Sequence, residues 1–552
     1  TDMFSAMAPM FILYFLMKST MDFTPRAALY AAIAIALYPF FYDGGKSIVY
    51  AMGIIYALYM MFYHRYDRTT YISMVLVFVA LVPFPFLIAP WSYLIKIAVV
   101  IILYFVLTKS SVEQKKLMIA SGILFLLFMY FGNVFGLIIA KVSSYISTGT
   151  ASEGLHFYGV KQTIREAGKI PFETFANRIS GSQVGVIVSF IGYIFLVVKH
   201  RAFILALPLI GIGAFALWGG LRFTVYAVPV AAMSAIYLFH VITTSISNKK
   251  SIYIIAMTIL TASMLYPNIM HIVGYKVPTV LNKAEVQDLA RLDEIATDKD
   301  YTLTWWDYGY PVWFYSNTNT IIDGGKHQND NFIISKIMQT TSSDLAINLS
   351  RLAVETYVDS NYSNIADTMF KNGKEDQLDP NILLSELENN TYDLPTKTRD
   401  IYLYLPYRML SIFPTVAVFG NLDLTTGQAE RKIVFYPTQA VSNKDGLIAF
   451  RNGITFDAKS GKVMLGKQKM NVKNFIVTQN TKQGRVHLQS QLYHVDGEYA
   501  IVYMKSYNTF VVMDVETFNS TYVQMFMLEK YDKNLFELVV SSPYSKIYKL
   551  KK

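Results

Sequence analysis

The 552-residue sequence contains no cysteine. Disulfides, thiol nucleophiles and cysteine-ligated zinc are therefore excluded, while the redox compartment stays open, because an exported chain need not use disulfides. No glycine-rich phosphate loop, His-Glu-x-x-His helix or dinucleotide fingerprint occurs, so chemistry driven by a soluble nucleotide is not suggested. No internal repeat is visible. Charge is sparse, at 16% of residues, and the 39 acidic side chains are outnumbered by 49 Lys and Arg, for a net charge of +10. That balance suggests an anionic partner. Basic flanks beside apolar runs mark membrane topology more often than nucleic acid, and no nucleic-acid partner is expected. The chain opens on Thr1-Asp2, without an initiating Met and directly before an apolar run. It reads as a fragment lacking its N-terminal part, and in that form is expected to be inactive.

What is abundant is apolar surface, at 53% of residues. The mean hydropathy of +0.32 averages two unlike halves. From Thr1 to about Asn268 long apolar runs alternate with short charged clusters; from about Tyr275 onward the composition is that of a soluble domain. A spanning helix needs roughly 17–25 mostly apolar residues, and lipid offers the backbone no other partner. Ten spans are predicted: Met3–Leu16, Ala27–Tyr42, Ser47–Tyr63, Tyr71–Ile88, Tyr93–Thr108, Leu117–Ala140, Val184–Val198, Ala202–Trp218, Phe223–Thr243 and Ile252–Tyr266. Alternate short loops carry Lys18 and Arg26; Arg65 and Arg68; Lys109, Lys115 and Lys116; Lys199 and Arg201; Lys249 and Lys250. The positive-inside rule makes these loops cytoplasmic. Asp2, the loop of residues 141–183, Arg222 and the whole soluble half then share the outer face. That loop is Ser/Thr/Gly-rich at first and amphipathic around Thr163-Ile164-Arg165-Glu166, which fits a lid or a solvated linker equally well.

The soluble half predicts a helix over Ala284–Ala296, one or two helices over Asn331–Val358, and a strand followed by a helix over Thr398–Phe419. Short β-like runs occupy about 423–513, and helix returns over Phe518–Leu538. The expected organisation is residues 1–273 as a transmembrane domain and 274–552 as a mixed α/β domain with a β-rich insertion.

One polar stretch stands out, Thr304-Trp305-Trp306-Asp307-Tyr308-Gly309-Tyr310-Pro311, followed by Asp323-Gly324-Gly325-Lys326-His327. Each Trp has one N–H donor and a large apolar face, and a carboxylate only accepts, so together they suit a pocket that grips a hydroxyl against an aromatic wall. A Trp-Trp pair alone fits a buried aromatic turn at least as well. The full run resembles the signature of the catalytic subunit of oligosaccharyltransferases, the membrane enzymes that N-glycosylate asparagine, and the similarity extends over essentially the whole chain.

The resemblance implies a GT-C-type multi-span helical membrane domain followed by a periplasmic α/β domain, in a monomeric multi-pass protein of the bacterial inner membrane. It implies transfer of a glycan en bloc from a lipid-linked oligosaccharide, a polyprenyl diphosphate, to an acceptor polypeptide at Asn-x-Ser/Thr, with an acidic residue two before the Asn. An amide nitrogen is a poor nucleophile, so carboxylates to hold its hydrogens and a hard cation, Mn²⁺ or Mg²⁺, suit the reaction. By the same resemblance Asp2 and Glu166 are the metal-binding and catalytic carboxylates. Trp305, Trp306 and Asp307 bind the Ser/Thr hydroxyl. Arg178 pairs with the acidic acceptor residue, and Met409 and Ile412, in Met-x-x-Ile, touch the sequon Thr. Arg222 holds the lipid diphosphate, with Tyr310 and His327 near the donor.

Two other readings compete. A different lipid-linked sugar transferase, acting on Ser/Thr or on lipid, would share the outer acidic loop without needing the hydroxyl pocket. A transporter or anchored binding protein would call for mid-bilayer charges or inverted repeats, whereas the charges here lie mostly at span ends. Finally, Asp359-Ser360-Asn361-Tyr362-Ser363 itself matches the extended acceptor pattern, which makes Asn361 a candidate self-substrate.

Overall fold

A computed structural model describes residues 2–42, 45–84, 90–137, 139–140, 154–160, 163, 168–276, 279–481 and 483–552, the side chains of residues 2–6 excepted. The chain divides into a helical unit, residues 1–148 with 161–277, and an α/β unit, residues 149–160 with 278–552.

Every described element of the helical unit is a helix, as a backbone without water requires. In order these are α1 Asp2–Met21, α2 Pro25–Phe41, α3 Lys46–Tyr63, α4 Arg68–Leu81, α5 Trp91–Lys109, α6 Gln114–Phe131, α7 Phe172–Ser180, α8 Gln183–Lys199, α9 Leu207–Gly219, α10 Val228–Ile246 and α11 Lys250–Gly274. Each of the ten predicted spans falls on one of them. By length and composition six described helices can cross a membrane, or seven when the bent pair α7–α8 counts as one span; three more, Met7–Met21, Pro25–Phe41 and Arg68–Leu81, are shorter and apolar. Proline and glycine set several ends differently from the hydropathy pattern. The span expected over Tyr71–Ile88 ends as a helix at Leu81, just before Pro83, and the one over Leu117–Ala140 breaks at Gly132, with Asn133 left-handed (φ 44°).

The helix pair α7–α8 bends by 68°. Gly181 terminates α7 in the left-handed region (φ 74°), and a β-carbon there would lie 2.5 Å from the backbone nitrogen of Asn268. Only glycine meets both demands. Ser182 then caps α8 by accepting the Gly185 N–H at 3.0 Å.

The α/β unit is built on a four-stranded sheet in the order β1-β2-β13-β12. Here β1 is Tyr301–Leu303, β2 Ile401–Pro406, β12 Phe536–Ser541 and β13 Ser545–Leu550. Strands β1 and β2 are parallel, with Tyr301 opposite Ile401 and Leu303 opposite Leu403; β13 runs antiparallel to both β2 and β12. Helices α12 Lys283–Asp293, α13 Gly309–Ser316, α14 Asn331–Gln339, α15 Ser343–Asp359, α16 Ile365–Met369, α17 Pro380–Glu388 and α18 Met409–Gly420 complete this layer. A capping box starts α12: Asn282 accepts from the Glu285 N–H (3.0 Å) and Glu285 accepts from the Asn282 N–H (2.7 Å).

Between α18 and β12 a nine-stranded sheet spans β3 to β11, from Phe435 to Asp514, where the β-rich insertion was expected. Its strands β10 (Tyr499–Met504) and β11 (Thr509–Asp514) form a wall between two cores. With side chains alternating along a strand, Ala500, Val502, Val511 and Met513 face the main core, while Ile501, Phe510 and Val512 face a second core with Phe450, Phe456 and Val463.

The helix expected over Phe518–Leu538 is not formed. A one-turn helix at Val515–Phe518, a π-helical turn at Val523–Met527 and strand β12 occupy that stretch. Residues 536–541 are drawn into pairing with β13, and that tertiary pairing overrides the helical spacing.

Candidate functional site

The site is assembled where two parallel strands end. Beyond β1 the chain stays extended through Thr304 and Trp305, makes a 3₁₀ turn at Trp306–Tyr308 and enters α13 at Gly309. Beyond β2 it passes Tyr407 and Arg408 into α18 at Met409. The Trp-Trp-Asp and Met-x-x-Ile segments, about a hundred residues apart, therefore leave the same edge of one sheet. The crevice outside the carboxyl ends of parallel strands is the usual place for a binding site in such folds.

The three signature residues face different surroundings. Trp305 is 2% exposed and meets the ring of Phe419, on α18, edge-on at 5.1 Å. Trp306 is half-buried and stacks on His327 at 5.0 Å. Its indole Nε1 is buried and has no hydrogen-bond partner among the described residues, as is also true of the Thr304 hydroxyl. An orphaned buried donor is uncommon and calls for a partner. Asp307 reaches the surface, yet protein crowds its carboxyl enough that loss of water raises its pKa, against the opposing influence of the Trp305 indole and His327.

The Asp323–His327 turn closes on this segment. Asp323 Oδ1 accepts the N–H groups of Gly325 (2.7 Å) and Lys326 (2.9 Å). His327 Nδ1 lies 2.9 Å from the Asp323 carbonyl, and because a carbonyl only accepts, Nδ1 is the donor. A β-carbon on Gly309 would sit 2.6 Å from the Ile322 carbonyl oxygen and from Asp323 Cβ, so the glycine of the signature is what lets the turn settle on the start of α13. Tyr310, 51% exposed, has its ring against Gly324 and Gly325.

On α18 the two motif residues differ. Met409 is fully enclosed in the core, while Ile412 is half-buried at its margin. Arg408, just before them, forms a bidentate pair with Glu285, which is 1% exposed.

A contribution absent from the sequence reading comes from residues 154–160. This piece of the long loop belongs to the α/β unit, with Leu155 and Phe157 buried in its core. The Leu155 N–H donates to Asn372 Oδ1 (2.7 Å), and Asp367 Oδ1 accepts from both Asn372 (2.7 Å) and Asn329 (2.9 Å), two residues past His327. The His156 N–H donates to the Leu424 carbonyl (2.7 Å). Tyr158 meets Phe419 at 5.3 Å, the same ring that supports Trp305. The apolar run Leu155-His156-Phe157-Tyr158 inside a Ser/Thr-rich loop was the available signal.

The remaining candidates belong to the helical unit. Arg178, on α7, is half-buried with its guanidinium 4.5 Å from the centre of the Tyr275 ring. Arg222 is exposed on a 3₁₀ turn, Leu221–Tyr226, between α9 and α10. Asp2 begins α1, but its side chain lies outside the described residues, as does Glu166. Among the described residues no group of three or more His, Asp or Glu is placed to hold a metal.

Three family models match the chain: Oligosaccharyl transferase STT3, N-terminal, over residues 1–273; STT3/PglB/AglB core domain over 298–426; and STT3/PglB C-terminal beta-barrel domain over 434–513. The undecaprenyl-diphosphooligosaccharide–protein glycotransferase of Campylobacter jejuni subsp. jejuni serotype O:2 is 34% identical over 100% of this chain and 78% of its own length. The chain belongs to the STT3/PglB family of oligosaccharyltransferases. It is a glycosyltransferase of the bacterial single-subunit type. The protein of the same name from Campylobacter jejuni strain RM1221 matches equally, at 34% identity over the whole chain. In fold the chain is similar to the archaeal oligosaccharyltransferase AglB of Archaeoglobus fulgidus, solved with an inhibitory peptide and a dolichol-phosphate, at a TM-score of 0.50 and 12% identity over 97% of this chain and 62% of that one. The core model covers Trp305, Trp306, Asp307, Tyr310, His327, Met409 and Ile412, and the N-terminal model covers Asp2, Glu166, Arg178 and Arg222.

Proposed function

We propose that this membrane glycosyltransferase moves an oligosaccharide en bloc from a polyprenyl diphosphate to the side-chain amide of asparagine in Asp/Glu-x-Asn-x-Ser/Thr, on the periplasmic face of the inner membrane. The observation that carries the acceptor half is the environment of Trp306 and Asp307: an unpartnered buried indole N–H beside a surface-reaching carboxyl, at the carboxyl edge of a parallel strand pair. A hydroxyl is both donor and acceptor, and complements that pair. Its O–H donates to the Asp307 carboxylate and its oxygen accepts from the Trp306 N–H, while the stacked His327 ring holds the indole in place. An acceptor lacking the hydroxyl leaves both groups desolvated without partners, and discrimination by unpaired buried polar groups is steep.

Ile412 lines the apolar side of the acceptor cleft, with Met409 packed beneath it, and Arg178 pairs with the acidic residue two before the Asn. Arg222 binds the donor diphosphate, with Tyr310 and His327 contributing near it. Asp2 and Glu166 hold a divalent ion; two hard carboxylates suit Mg²⁺ or Mn²⁺, and when bound such an ion supplies charge stabilisation for the departing diphosphate.

The test is glycosylation in vitro by the full-length protein, with a peptide carrying Asp-x-Asn-x-Thr and a lipid-linked donor. Asp307→Ala is expected to raise the acceptor KM by tenfold or more, EDTA to abolish transfer, and Mn²⁺ or Mg²⁺ to restore it. Transfer that persists in EDTA, or that is indifferent to replacing the acceptor Thr by Ala, would overturn this reading.

A further inference from the structure

We infer that the protein is itself an acceptor, modified at Asn361 on one copy by the active site of a second copy. The inference rests on the function proposed above. The sequence holds four Asn-x-Ser/Thr triplets, at Asn348, Asn361, Asn389 and Asn519. Of the four only Asn361 has an acidic residue two before it, Asp359.

The fold separates the four independently of that pattern. Asn348 is 3% exposed, and its amide donates to the Leu387 carbonyl (2.7 Å) and to Asn390 Oδ1 (2.9 Å). The Asn389 amide donates to the Ser385 carbonyl (2.9 Å), and the residue two before it is the buried Leu387. Asn519 is exposed, but the hydroxyl it needs, on Thr521, is 7% exposed and donates to the Thr340 carbonyl (3.0 Å). At Asn361 all three recognition positions, Asp359, Asn361 and Ser363, are exposed; the Ser363 hydroxyl donates to the Ser360 carbonyl (2.8 Å) within the same exposed turn, and the Asn361 carboxamide has no hydrogen-bond partner among the described residues.

The turn that carries them is strained. Asn361 (φ 55°) and Tyr362 (φ 65°) are consecutive left-handed residues after α15, and neither is glycine. Two backbone bonds hold the turn, Asn361 N–H to the Val358 carbonyl (3.1 Å) and Tyr362 N–H to the Tyr357 carbonyl (2.8 Å), with the Tyr362 ring against Tyr357 at 5.4 Å. Release of that strain favours an opened turn, in which the Asn361 amide and Ser363 hydroxyl can enter an acceptor cleft. The reaction runs between copies because of where the turn sits. Tyr357 is held by Lys326 Nζ at 2.6 Å, next to His327, so the turn and the Trp-Trp-Asp segment are fixed on one folded unit. Fixed in that unit and exposed, Asn361 is presented to the cleft of a second copy.

In the transfer the Asn361 amide nitrogen bonds to the anomeric carbon of the donor sugar. The carbon–oxygen bond to the diphosphate breaks, the lipid diphosphate leaves with the electron pair, and the amide gives up one proton.

The experiment co-expresses the full-length protein with a lipid-linked oligosaccharide pathway and a soluble acceptor bearing Asp-x-Asn-x-Thr, then analyses the tryptic peptide Leu352–Lys371 by mass spectrometry. A glycan on Asn361 is expected, lost in Ser363→Ala and reduced at least tenfold in Asp359→Ala, with the soluble acceptor glycosylated normally in both. An Asp307→Ala copy is expected to be modified at Asn361 only when co-expressed with the active protein. An unmodified Leu352–Lys371 peptide beside a glycosylated soluble acceptor would overturn this inference alone. Failure to glycosylate either would refute the proposed function as well, and modification at Asn348, Asn389 or Asn519 in place of Asn361 would refute the accessibility argument.

Discussion

Asp307 joins two properties that ordinarily exclude one another: it reaches solvent, and its surroundings disfavour its charge. Its pKa is raised chiefly by loss of water, and in the proposed acceptor role its ionised form accepts a hydroxyl more strongly than its protonated form does. On that proposal acceptor binding weakens as pH falls through the raised value, and the weakening begins above the ordinary Asp value of about 3.9. Acceptor KM measured against pH should rise on the acid side in the wild type, and Asp307→Asn should show a high KM without that limb. Asp330 gives a second signed test. It is 8% exposed, and burial pushes its pKa to about 6, above the unfolded value, while Oδ1 accepts the Ala366 N–H at 2.8 Å. The folded state then holds the proton more tightly, so stability declines as pH rises from about 4 to about 6 and stays lower above, by roughly 2–3 kcal/mol. Asp330→Asn keeps the acceptor oxygen without the charge. It should raise the melting temperature at pH 7.5 and leave it nearly unchanged at pH 4.5, as scanning fluorimetry would show.

At the scale of elements, the pair that fixes α18 to α12 is Arg408 with Glu285. Glu285 is buried and also caps α12, so removing its partner strands a charge in the core. The Arg408 side chain is 37% exposed, so water screens its half of the pair, and Arg408→Ala is predicted to destabilise the α/β unit by about 1–3 kcal/mol, less than the cost of breaking a fully buried pair. Denaturant melts should also show that Glu285→Gln with Arg408→Met recovers much of the loss, since replacing both partners removes the stranded charge. A single-variant loss too small to measure would mean that Glu285 is wetter than its 1% exposure indicates. The elements themselves were unevenly legible. The helices over 283–293, 331–339, 343–359 and 409–420 and the strands of the insertion follow apolar spacing, because each packs one face on a core. The stretch over 518–538 misled, because its strand exists only through pairing with β13. Residues 154–160 misled for the opposite reason: a short apolar run in a polar loop declares no periodicity, and only the core it enters shows that it is fixed.

At the scale of the whole molecule the absence of cysteine becomes a tool. Single cysteines can be placed on the charged loops without competition from any other thiol in residues 1–552. Ser111→Cys and Asn248→Cys, both exposed in the loops expected to be cytoplasmic, should react with a membrane-impermeant maleimide only after permeabilisation of cells. Ser442→Cys, exposed on the nine-stranded sheet, should react from outside the inner membrane. The reverse pattern would invert the orientation and remove the periplasmic assignment of the acceptor site.

The sequence by itself determined the division into an apolar helical half and a soluble half, the alternation of basic loops, and the Trp-Trp-Asp and Met-x-x-Ile motifs that carry the family resemblance. All of these are local in the chain: they need only composition, spacing or neighbouring residues. What only the tertiary structure decided is how those pieces meet. The parallel pairing of β1 with β2 brings segments a hundred residues apart to one edge, the Asp323–His327 turn stacks His327 on Trp306, and the indole N–H of Trp306 is left unpaired. The same holds for Asn361, one of four similar triplets in the sequence and the one whose three recognition residues all remain exposed. Burial and partnership are properties of distant residues brought together, and a pattern read along the chain has no access to them.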